Sequence, residues 1–533
     1  MGRIDKLLDG WIGERCKSSS PGVALLVLQD GMETVQLVRG AANVETGTPI
    51  SVHSDFDAGS IAKTVTGICI ALLEDEGALS LETSVREFLT ELPNSLSRVN
   101  VSHLLRHESG LHNYSTMLYF MSGWHPHEPP TPKEVLRAVC RAPGLKWLPG
   151  SRYEYLDSNY FLLAQIVERA SGMSFGAFAQ ERVFQPLGMK DSFMTDVEAP
   201  EDVTMAEGYA SYPSELRSPH AYRTDWKETH YSTGLCYRHV GAEGFRTSVS
   251  DLATLGRELL DPSVFRKETV ARVVAPSRVR GDGLGYGYGL NAGRYLGLHF
   301  FGHDGMIQGF TGSLSAYPEH DLLIACLTNR EDLGAWEVRD FLLREILEVE
   351  SPSEAAVLHV RGAAPIPPLG LYLDRKTSSF LRLTVDEDDL QAEINGEASY
   401  KATYQVRSPS TTNVNPQRIQ VQRKDGSQSF DAFIETVASN GFDAYAGSFH
   451  CDELQTTFHV EATEVGIRLT NADPKRPSMD LDYTPTIQDY FWSHDPHPGI
   501  SQLEFLRESD RVVAFRYRDY DGDRREVFVF KRR

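Results

Sequence analysis

The stretch DFDAGSIAKTVTGICIALL, from Asp55 to Leu73, carries the strongest local signal in this chain of 533 residues. We predict a helix from Ser60 to Glu76, because a largely apolar run follows the serine and Gly77 is placed to end it. Ser60 and Lys63 lie three residues apart, so the helix would put both side chains on one face, one turn apart.

This spacing favours an activated serine. A serine hydroxyl is a poor nucleophile until a neighbouring group removes its proton. Lys63 can do so if burial or a nearby charge lowers its pKa, and the apolar run from Ile68 to Leu73 would help to bury the helix. The helix N-terminus also points backbone N–H groups towards a developing oxyanion. The alternative, a solvated Ser and Lys on a surface helix, fits the spacing equally well.

Predicted elements on both sides place this helix in a larger domain. Val23 to Leu28 and Thr34 to Val38 are typical of a hairpin whose turn is Asp30-Gly31. Further on, SNYFLLAQIVERASG has the spacing of an amphipathic helix that Ser158 can cap and Gly172 can end.

The end of the same domain is rich in strands. Three strand-like runs lie between Phe300 and Thr328, and a helix is predicted near Ala335 to Glu348. Two early strands and three late ones, with helices between them, predict an α+β domain whose antiparallel sheet uses both ends of the segment.

The pattern changes after residue 350. A stretch rich in Ala, Pro and Gly resembles a linker, and short alternating strands follow it. A weak repeat, GLYLDRKTSSFLRLTV from Gly370 and GSFHCDELQTTFHVEA from Gly447, predicts two small antiparallel β-barrels in tandem. The predicted parts of this multi-domain chain are a first domain (1–350), a linker (351–366) and two barrels (367–439 and 440–533).

Composition limits the partners and the compartment. The chain has 53 Lys and Arg against 74 Asp and Glu, a formal net charge of −21, so neither nucleic acid nor an anionic membrane is expected to bind. The longest apolar stretches fall short of the roughly 18 to 20 residues of a transmembrane helix. Six cysteines without CxxC spacing suit a reducing compartment, so we predict a cytoplasmic protein.

No cofactor and no metal are predicted. His125 and His127 lie in a Pro-rich stretch that is more typical of a surface loop than of a metal site. The expected partner is a small-molecule or short-peptide substrate. The oligomeric state stays open, with a homodimer as one option.

Two further segments carry reactive groups. Tyr155, in SRYEYLDSNY, lies at a predicted loop-to-helix junction, where active-site groups often sit. His303 and Gly305, in FGHDGMIQGF, would lie on or beside an edge strand of the sheet, where the glycine lets a substrate backbone approach. Taken alone, a buried core tyrosine and an ordinary His-x-Gly triplet explain these residues as well.

In this order, Ser-x-x-Lys, the tyrosine segment about 95 residues later and His-x-Gly before two strands resemble the serine β-lactamase-like, penicillin-recognising family of class C type. HLLRHESGL, from His103, is similar to another stretch of that family. The resemblance implies a β-lactamase/transpeptidase-like fold for residues 1 to 350. Such a domain followed by two barrels, the last lipocalin-like, is most similar to the bacterial D-aminopeptidases of the family.

The resemblance also implies roles for individual residues. Ser60 would be the acylated nucleophile, Lys63 the proton shuttle and Tyr155 a general base or acid. His303 would occupy the place of the lysine in the Lys-Thr-Gly motif of relatives. The backbone N–H groups of Ser60 and Met306 would form the oxyanion hole. A loop of the last barrel, here Ser493 to Gly499, would reach into the cleft.

One position departs from the family. Where the family has Tyr-x-Asn, this chain has Tyr155-Leu156-Asp157. An ionised Asp157 beside Lys63 would raise the pKa of the lysine and weaken it as a base. Alternatively, Asp157 would bind the cationic amine of a substrate, and the sequence leaves both roles open.

The resemblance implies a serine hydrolase that acts through a Ser60 acyl-enzyme on amides, esters or short peptides with a free N-terminal D-amino acid. An esterase, a D-amino-acid amidase or an acyltransferase is the alternative within the family. A binding or scaffold protein that keeps the fold without turnover is the alternative from another class. Turnover of β-lactams is not expected, because the chain contains neither Lys-Thr-Gly nor Ser-Asp-Asn.

Overall fold

The computed structural model describes all residues except 1–2, 14, 123–129, 201–203, 211–230, 233–239, 276, 280–282, 308, 348, 350–357, 360–369, 375–378, 387–388, 395–396, 402–417, 424–425, 433–441, 453, 465, 472–480, 488–489, 494–499 and 522–523. The chain divides into two compact units, Met1–Met117 with His125–Val349, and Leu118–Trp124 with Glu350–Arg533. No helix of the described part is both long enough and apolar enough to cross a membrane.

Helices and strands alternate irregularly through residues 3–347. The helices are α1 (Arg3–Gly13), α2 (Ala62–Asp75), α3 (Val85–Phe88), α4 (Val101–Leu105), α5 (Tyr114–Ser122), α6 (Pro132–Arg141), α7 (Asp157–Ser171), α8 (Phe175–Ala179), α9 (Gln185–Leu187), α10 (Val249–Leu260), α11 (Lys267–Val273) and α12 (Ala335–Leu347). Turns of 3₁₀ helix lie at Gly59–Ile61, Asn94–Leu96 and Pro318–His320, and a π-helical turn lies at Gln180–Phe184. The strands are β1 (Val23–Gln29), β2 (Met32–Arg39), β3 (Ala41–Asn43), β4 (Thr48–Pro49), β5 (Phe56–Asp57), β6 (Phe193–Met194), β7 (Tyr209–Ala210), β8 (Tyr231–Ser232), β9 (Phe245–Thr247), β10 (Leu284–Gly287), β11 (Leu290–Tyr295), β12 (Leu298–Ile307), β13 (Phe310–Tyr317) and β14 (Leu322–Thr328).

A seven-stranded antiparallel sheet, in the order β10-β11-β12-β13-β14-β1-β2, forms the centre of the first unit. The β1–β2 hairpin turns at Asp30 and Gly31, which both have positive φ, as the Asp-Gly pair predicts. β1 pairs with β14, so that Val23 lies opposite Thr328. The prediction that early and late strands share one sheet is confirmed.

The sequence misses β10 and β11. Glycines and turn residues interrupt their alternation, so the period-two pattern of a strand does not emerge. These strands extend the sheet beyond β12 and leave β12 in the interior. The expectation that His303 lies at an edge strand is therefore wrong.

Both faces of the sheet are covered by helices. On one face, apolar residues of α1 and α12, including Ile12 and Leu342, belong to the same buried cluster as Leu25 and Ile324 of the sheet. On the other face packs α10, and every residue of β14 is buried between the two layers. The period of two along a strand explains this, because alternate side chains enter opposite layers.

The helix α7 ends as the sequence predicts and begins differently. Gly172, at φ 73°, terminates it in the left-handed conformation. Its first residue is Asp157, and Ser158 is not its cap. The Ser158 hydroxyl instead donates to the His112 carbonyl at 2.7 Å, because the helix start is buried against that segment.

The C-terminal unit consists of antiparallel strands. They are β15 (Leu358–His359), β16 (Gly370–Asp374), β17 (Ser379–Asp386), β18 (Asp389–Ile394), β19 (Glu397–Lys401), β20 (Arg418–Arg423), β21 (Gly426–Ala432), β22 (Gly447–Cys451), β23 (Thr456–Ala462), β24 (Ile467–Asn471), β25 (Leu481–Ile487), β26 (Tyr490–Ser493), β27 (Ile500–Glu508), β28 (Arg511–Asp521) and β29 (Arg524–Arg532), with a 3₁₀ turn at Phe442–Ala444. Strands β22 to β29 form a closed barrel, whereas β15 to β21 form a seven-stranded sheet in which no pairing of β15 with β19 is seen among the described residues. Two tandem barrels therefore remain a prediction.

The two copies of the weak repeat occupy corresponding places. Each begins a hairpin, β16–β17 in the first copy and β22–β23 in the second. Phe380 lies opposite Leu373, and Phe458 lies opposite Phe449. The predicted boundary at 439/440 and most of the predicted linker 351–366 lie outside the described residues. Strand β15 lies within that linker and pairs with β20. With two residues, β15 is too short to give a sequence pattern.

We expect Gly289→Ala to destabilise the first unit. Gly289 has φ 77°, and a Cβ there would lie 1.9 Å from the carbonyl oxygen of Lys63. The left-handed conformation costs an alanine about 1–2 kcal/mol, and overpacking adds about 1–3 kcal/mol. The matched control is Gly297→Ala, where φ is 80° and no heavy atom lies within 4 Å of an added Cβ. This variant should lose only the free energy that the left-handed conformation costs. Equal losses of unfolding free energy in the two variants would contradict the close packing.

Candidate active site

Ser60 lies at the start of the buried helix α2. The 3₁₀ turn Gly59–Ile61 leads directly into α2, and Gly77, at φ 71°, follows its end, so the predicted helix is confirmed. The Gly59 N–H donates to Asp57 Oδ1 at 2.9 Å, which fixes the turn. Ser60 is partly exposed, although nearly all of α2 is buried. The serine is thus the accessible end of a rigid element.

The side chain of Lys63 is completely buried and reaches three acceptors. Its Nζ lies 2.9 Å from Ser60 Oγ, 2.9 Å from the Ala242 carbonyl oxygen and 2.7 Å from Asp157 Oδ1. The side chain of Tyr155 is a fourth hydrogen-bonding neighbour, so an ammonium group with three N–H donors is surrounded by polar partners. The structure therefore brings Ser60 and Lys63 together, as their spacing predicts.

Lys63 and Asp157 form a buried ion pair, and the side chain of Asp157 is only 8% exposed. Burial lowers the pKa of Lys63, but Asp157 and Tyr155 raise it by more, so its pKa lies above the ordinary value. The condition that the pKa of Lys63 be lowered is therefore not met, and the raised pKa expected beside an ionised Asp157 is found, because the carboxylate outweighs desolvation. Of the two roles open for Asp157, the structure shows the contact with Lys63.

Tyr155 completes the group around the serine. It lies in the segment immediately before α7, as predicted, and its side chain hydrogen-bonds Lys63 and Ser60. Its ring centroid is 4.8 Å from Lys63 Nζ. Burial raises the pKa of the Tyr155 hydroxyl, and the lysine partly opposes that effect. The phenol is placed to exchange a proton with either neighbour.

His303 lies on β12 behind this group, 6.1 Å from Tyr155 between ring centroids. Its Nδ1 contacts the Asp304 carbonyl oxygen at 2.5 Å and its Nε2 contacts the Tyr286 hydroxyl at 2.9 Å. Nδ1 therefore carries the proton, and Nε2 accepts from the tyrosine. Burial, together with the charge of Lys63, lowers the pKa of His303 to about 4, so the imidazole is neutral at pH 7.

Sequence reasoning missed Tyr286 and the Ala242 carbonyl, and it interpreted His107 as a structural histidine of the HLLRHESGL stretch. Tyr286 orients His303, and the surrounding GYGYG run is the signal that could have shown it. The Ala242 carbonyl acts through its backbone, which has no sequence signature. His107 accepts from the Leu156 N–H at 3.1 Å through Nδ1, which also lies 2.9 Å from Asn159 Nδ2, and so it fixes the segment that presents Tyr155.

Gly305 and Met306 lie beside the serine turn. A Cβ on Gly305 would lie 2.0 Å from the Ala58 carbonyl oxygen, so the close approach at this glycine is made by the chain's own backbone. A Cβ on Gly59 would lie 2.9 Å from the Met306 nitrogen, which places that N–H next to the residue before Ser60. The Met306 side chain is 65% exposed. Contact of either residue with a substrate stays a prediction.

Similarity to known proteins agrees with this geometry. The family model described as Beta-lactamase matches residues 5–348. The chain belongs to the β-lactamase family. A match of this extent includes every residue of the site described above, from Ser60 to His303.

Individual members of the β-lactamase family resemble other parts of the chain as well. A D-aminopeptidase of Cereibacter sphaeroides is 24% identical over 511 residues, which are 93% of this chain and 93% of that protein. Penicillin-binding protein 4* of Bacillus subtilis is 28% identical over 311 residues, 56% of this chain and 66% of that protein. An octameric penicillin-binding protein homologue from Pyrococcus abyssi, 20% identical, shares the fold over 99% of this chain and 100% of its own, with a TM-score of 0.56. These likenesses place the chain among the hydrolases of the family.

We expect His303 to stay neutral from pH 8 down to about pH 5. A histidine with a pKa of about 4 gains its proton only well below the usual value near 6.5. Imidazole nitrogen and proton shifts, followed by NMR and assigned with His303→Gln, should therefore remain constant across that range. A midpoint for His303 above pH 6 would contradict the buried neutral imidazole.

Proposed function

We propose that this protein is a serine hydrolase that forms an acyl-enzyme on Ser60 with amides, esters or short peptides bearing a free N-terminal D-amino acid. The observation that carries the proposal is the contact of Ser60 with Lys63 and Tyr155 at the accessible end of α2. The substrate class is supported by similarity to a D-aminopeptidase over 93% of both chains.

The buried Lys63–Asp157 pair accepts the proton of Ser60 in this proposal. Moving a proton from the ammonium to the carboxylate across their 2.7 Å contact changes no net charge, and a low-dielectric site disfavours separated charges. The neutral Nζ then takes the hydroxyl proton while Oγ attacks the substrate carbonyl carbon. The raised pKa of Lys63 is thereby compatible with activity.

Later steps return the proton. The amine or alcohol leaves when the tetrahedral intermediate collapses, and it receives the proton from Lys63 directly or through Tyr155, which hydrogen-bonds both Lys63 and Ser60. Water then attacks the acyl group, loses a proton to the same pair and releases the acid. The N–H groups of Ser60 and Met306 stabilise the oxyanion in both halves of the reaction.

A binding protein without turnover is the second candidate, and the raised pKa of Lys63 favours it. If the ammonium never transfers its proton, Ser60 has no base. Esterase, D-amino-acid amidase and acyltransferase activities use the same acyl-enzyme and differ in the leaving group or acceptor. Comparison of esters, amides and N-blocked substrates separates them, because only an aminopeptidase requires the free amine.

Several features stay predictions beside this proposal. They are a cytoplasmic location, a homodimer and the absence of a cofactor. The loop Ser493–Gly499, expected to limit the cleft, lies outside the described residues apart from Ser493, as do His125 and His127.

We expect hydrolysis of D-alanyl p-nitroanilide, with D-alanine methyl ester giving an acyl-enzyme visible by intact-mass spectrometry. Ser60→Ala should abolish the mass increase and lower kcat/KM on the order of 10⁴-fold or more, because the nucleophile is lost. L-alanyl p-nitroanilide tests the stereochemical preference. Activity that survives Ser60→Ala would refute the nucleophile. Folded wild-type protein that neither turns over nor reacts with a fluorophosphonate would favour the binding protein.

Asp157→Asn tests the proposed proton acceptor. Without the carboxylate, Lys63 becomes neutral only by losing a proton to water, so the acidic limb of the kcat/KM profile should move to higher pH by about one unit or more. Glu154→Gln is the matched control, because Glu154 is a buried carboxylate that pairs with Lys146 at 2.6 Å and should leave the limb in place. A limb that moves to lower pH would mean that Lys63 alone is the base and that Asp157 hinders it.

A further inference from the structure

Tyr286, which bonds His303, also lines a cavity of about 330 Å³. Its other walls come from three segments that are distant in sequence. The charged residues among them are Arg106, Glu108, Arg152 and Arg278, and we call this space the arginine cavity. The proposed chemistry does not use these charged side chains.

The charge of the arginine cavity is opposite to that of the chain. Three guanidinium groups face a single carboxylate, although the whole protein carries a formal net charge of −21. The carboxylate does not neutralise them. Glu108 is only 11% exposed, and its closest ion-pair contact, with the 69% exposed Arg278, is 3.9 Å. Arg106 and Arg152 form no ion pair within the described part of the chain. A surplus of positive charge therefore lines the opening.

The two serine hydroxyl groups of the cavity already donate to carbonyl groups of the protein itself. Ser151 donates to the Leu148 carbonyl at 2.6 Å, and Ser277 donates to the Tyr286 carbonyl. The donors left for a ligand are mainly those of the guanidinium groups. Arg152 also packs over the Trp147 ring, with 5.8 Å between its guanidinium carbon and the ring centroid, which limits its freedom. A planar guanidinium matches the two oxygens of a carboxylate.

We propose that the arginine cavity binds the C-terminal carboxylate of a short peptide whose first amide bond lies at Ser60. This inference rests on the proposed function and specifies its substrate. The ring of Tyr155, which bonds Ser60, lies 5.7 Å from the ring of Tyr286. An extended peptide advances about 3.3–3.6 Å per residue. A carboxylate two or three residues beyond the scissile bond can therefore reach the cavity, which selects di- and tripeptide leaving groups.

The test compares D-Ala-Gly-Gly and D-Ala-Gly-Gly-Gly with their C-terminal amides. We expect wild-type kcat/KM to favour the free acids by about tenfold, the effect of one charge-assisted hydrogen bond. The acid-to-amide ratio should fall towards one in Arg278→Gln and in Arg106→Gln. It should be retained in Arg137→Gln, an exposed arginine on α6 outside the cavity. A wild-type ratio near one, or a ratio equally reduced in Arg137→Gln, would overturn the proposal.

A binding measurement separates this inference from the proposed function. If no D-alanyl compound is hydrolysed, the proposed function fails, and the cavity is still tested by calorimetric titration of the whole Ser60→Ala protein with Gly-Gly-Gly and Gly-Gly-Gly-amide. We expect tighter binding of the acid, weaker binding in added salt and loss of the difference in Ser60→Ala/Arg278→Gln. Equal affinity for the acid and the amide would overturn the carboxylate site whatever the activity.

Discussion

The site depends on one buried contact, in which the Lys63 ammonium lies 2.7 Å from the Asp157 carboxylate. Two charges removed from water are tolerated only when they satisfy each other and when further hydrogen bonds take up the remaining donors. Ser60 and the Ala242 carbonyl provide those bonds on the lysine side. The proposed nucleophile Ser60 is thus also one of the groups that stabilise the buried charge of Lys63.

Three parts of the fold converge to make this contact. The 3₁₀ turn Gly59–Ile61 and α2 supply the serine and the lysine. The segment before α7 supplies the tyrosine, the first residue of α7 is the aspartate, and β12 supplies the histidine. Close backbone approaches hold these parts together, because Gly305 lets β12 pack on the turn before Ser60. Behind them, the ring of His107 lies 4.5 Å from that of Tyr155 and 4.6 Å from that of Tyr286. The reactive groups are therefore backed by a layer of packed aromatic rings.

The barrel of the C-terminal unit is stabilised mainly by apolar packing. Aromatic side chains fill the barrel of β22 to β29, where the Phe515 ring lies 4.8 Å from Phe530 and 5.1 Å from Phe449. Such pairs bury a large apolar area, and buried aliphatic residues such as Val460, Leu469 and Leu503 complete the core. The barrel thus resembles a packed structural module. The sequence analysis predicts that this barrel is lipocalin-like, and that likeness stays a prediction.

Local patterns in the sequence predict the helices and strands around the site and the order of the reactive groups. The Asp-Gly hairpin, the helix that begins near Ser60, the glycine end of α7 and the three late strands all follow from patterns within about twenty residues. These patterns did not predict β10 and β11, whose glycines hide the strand period, or the interior position of His303. Nor could they show the Ala242 carbonyl beside Lys63, 179 residues away. The charge of Lys63 is set by tertiary contacts, because it depends on how closely Asp157 approaches and on how little water surrounds the amine.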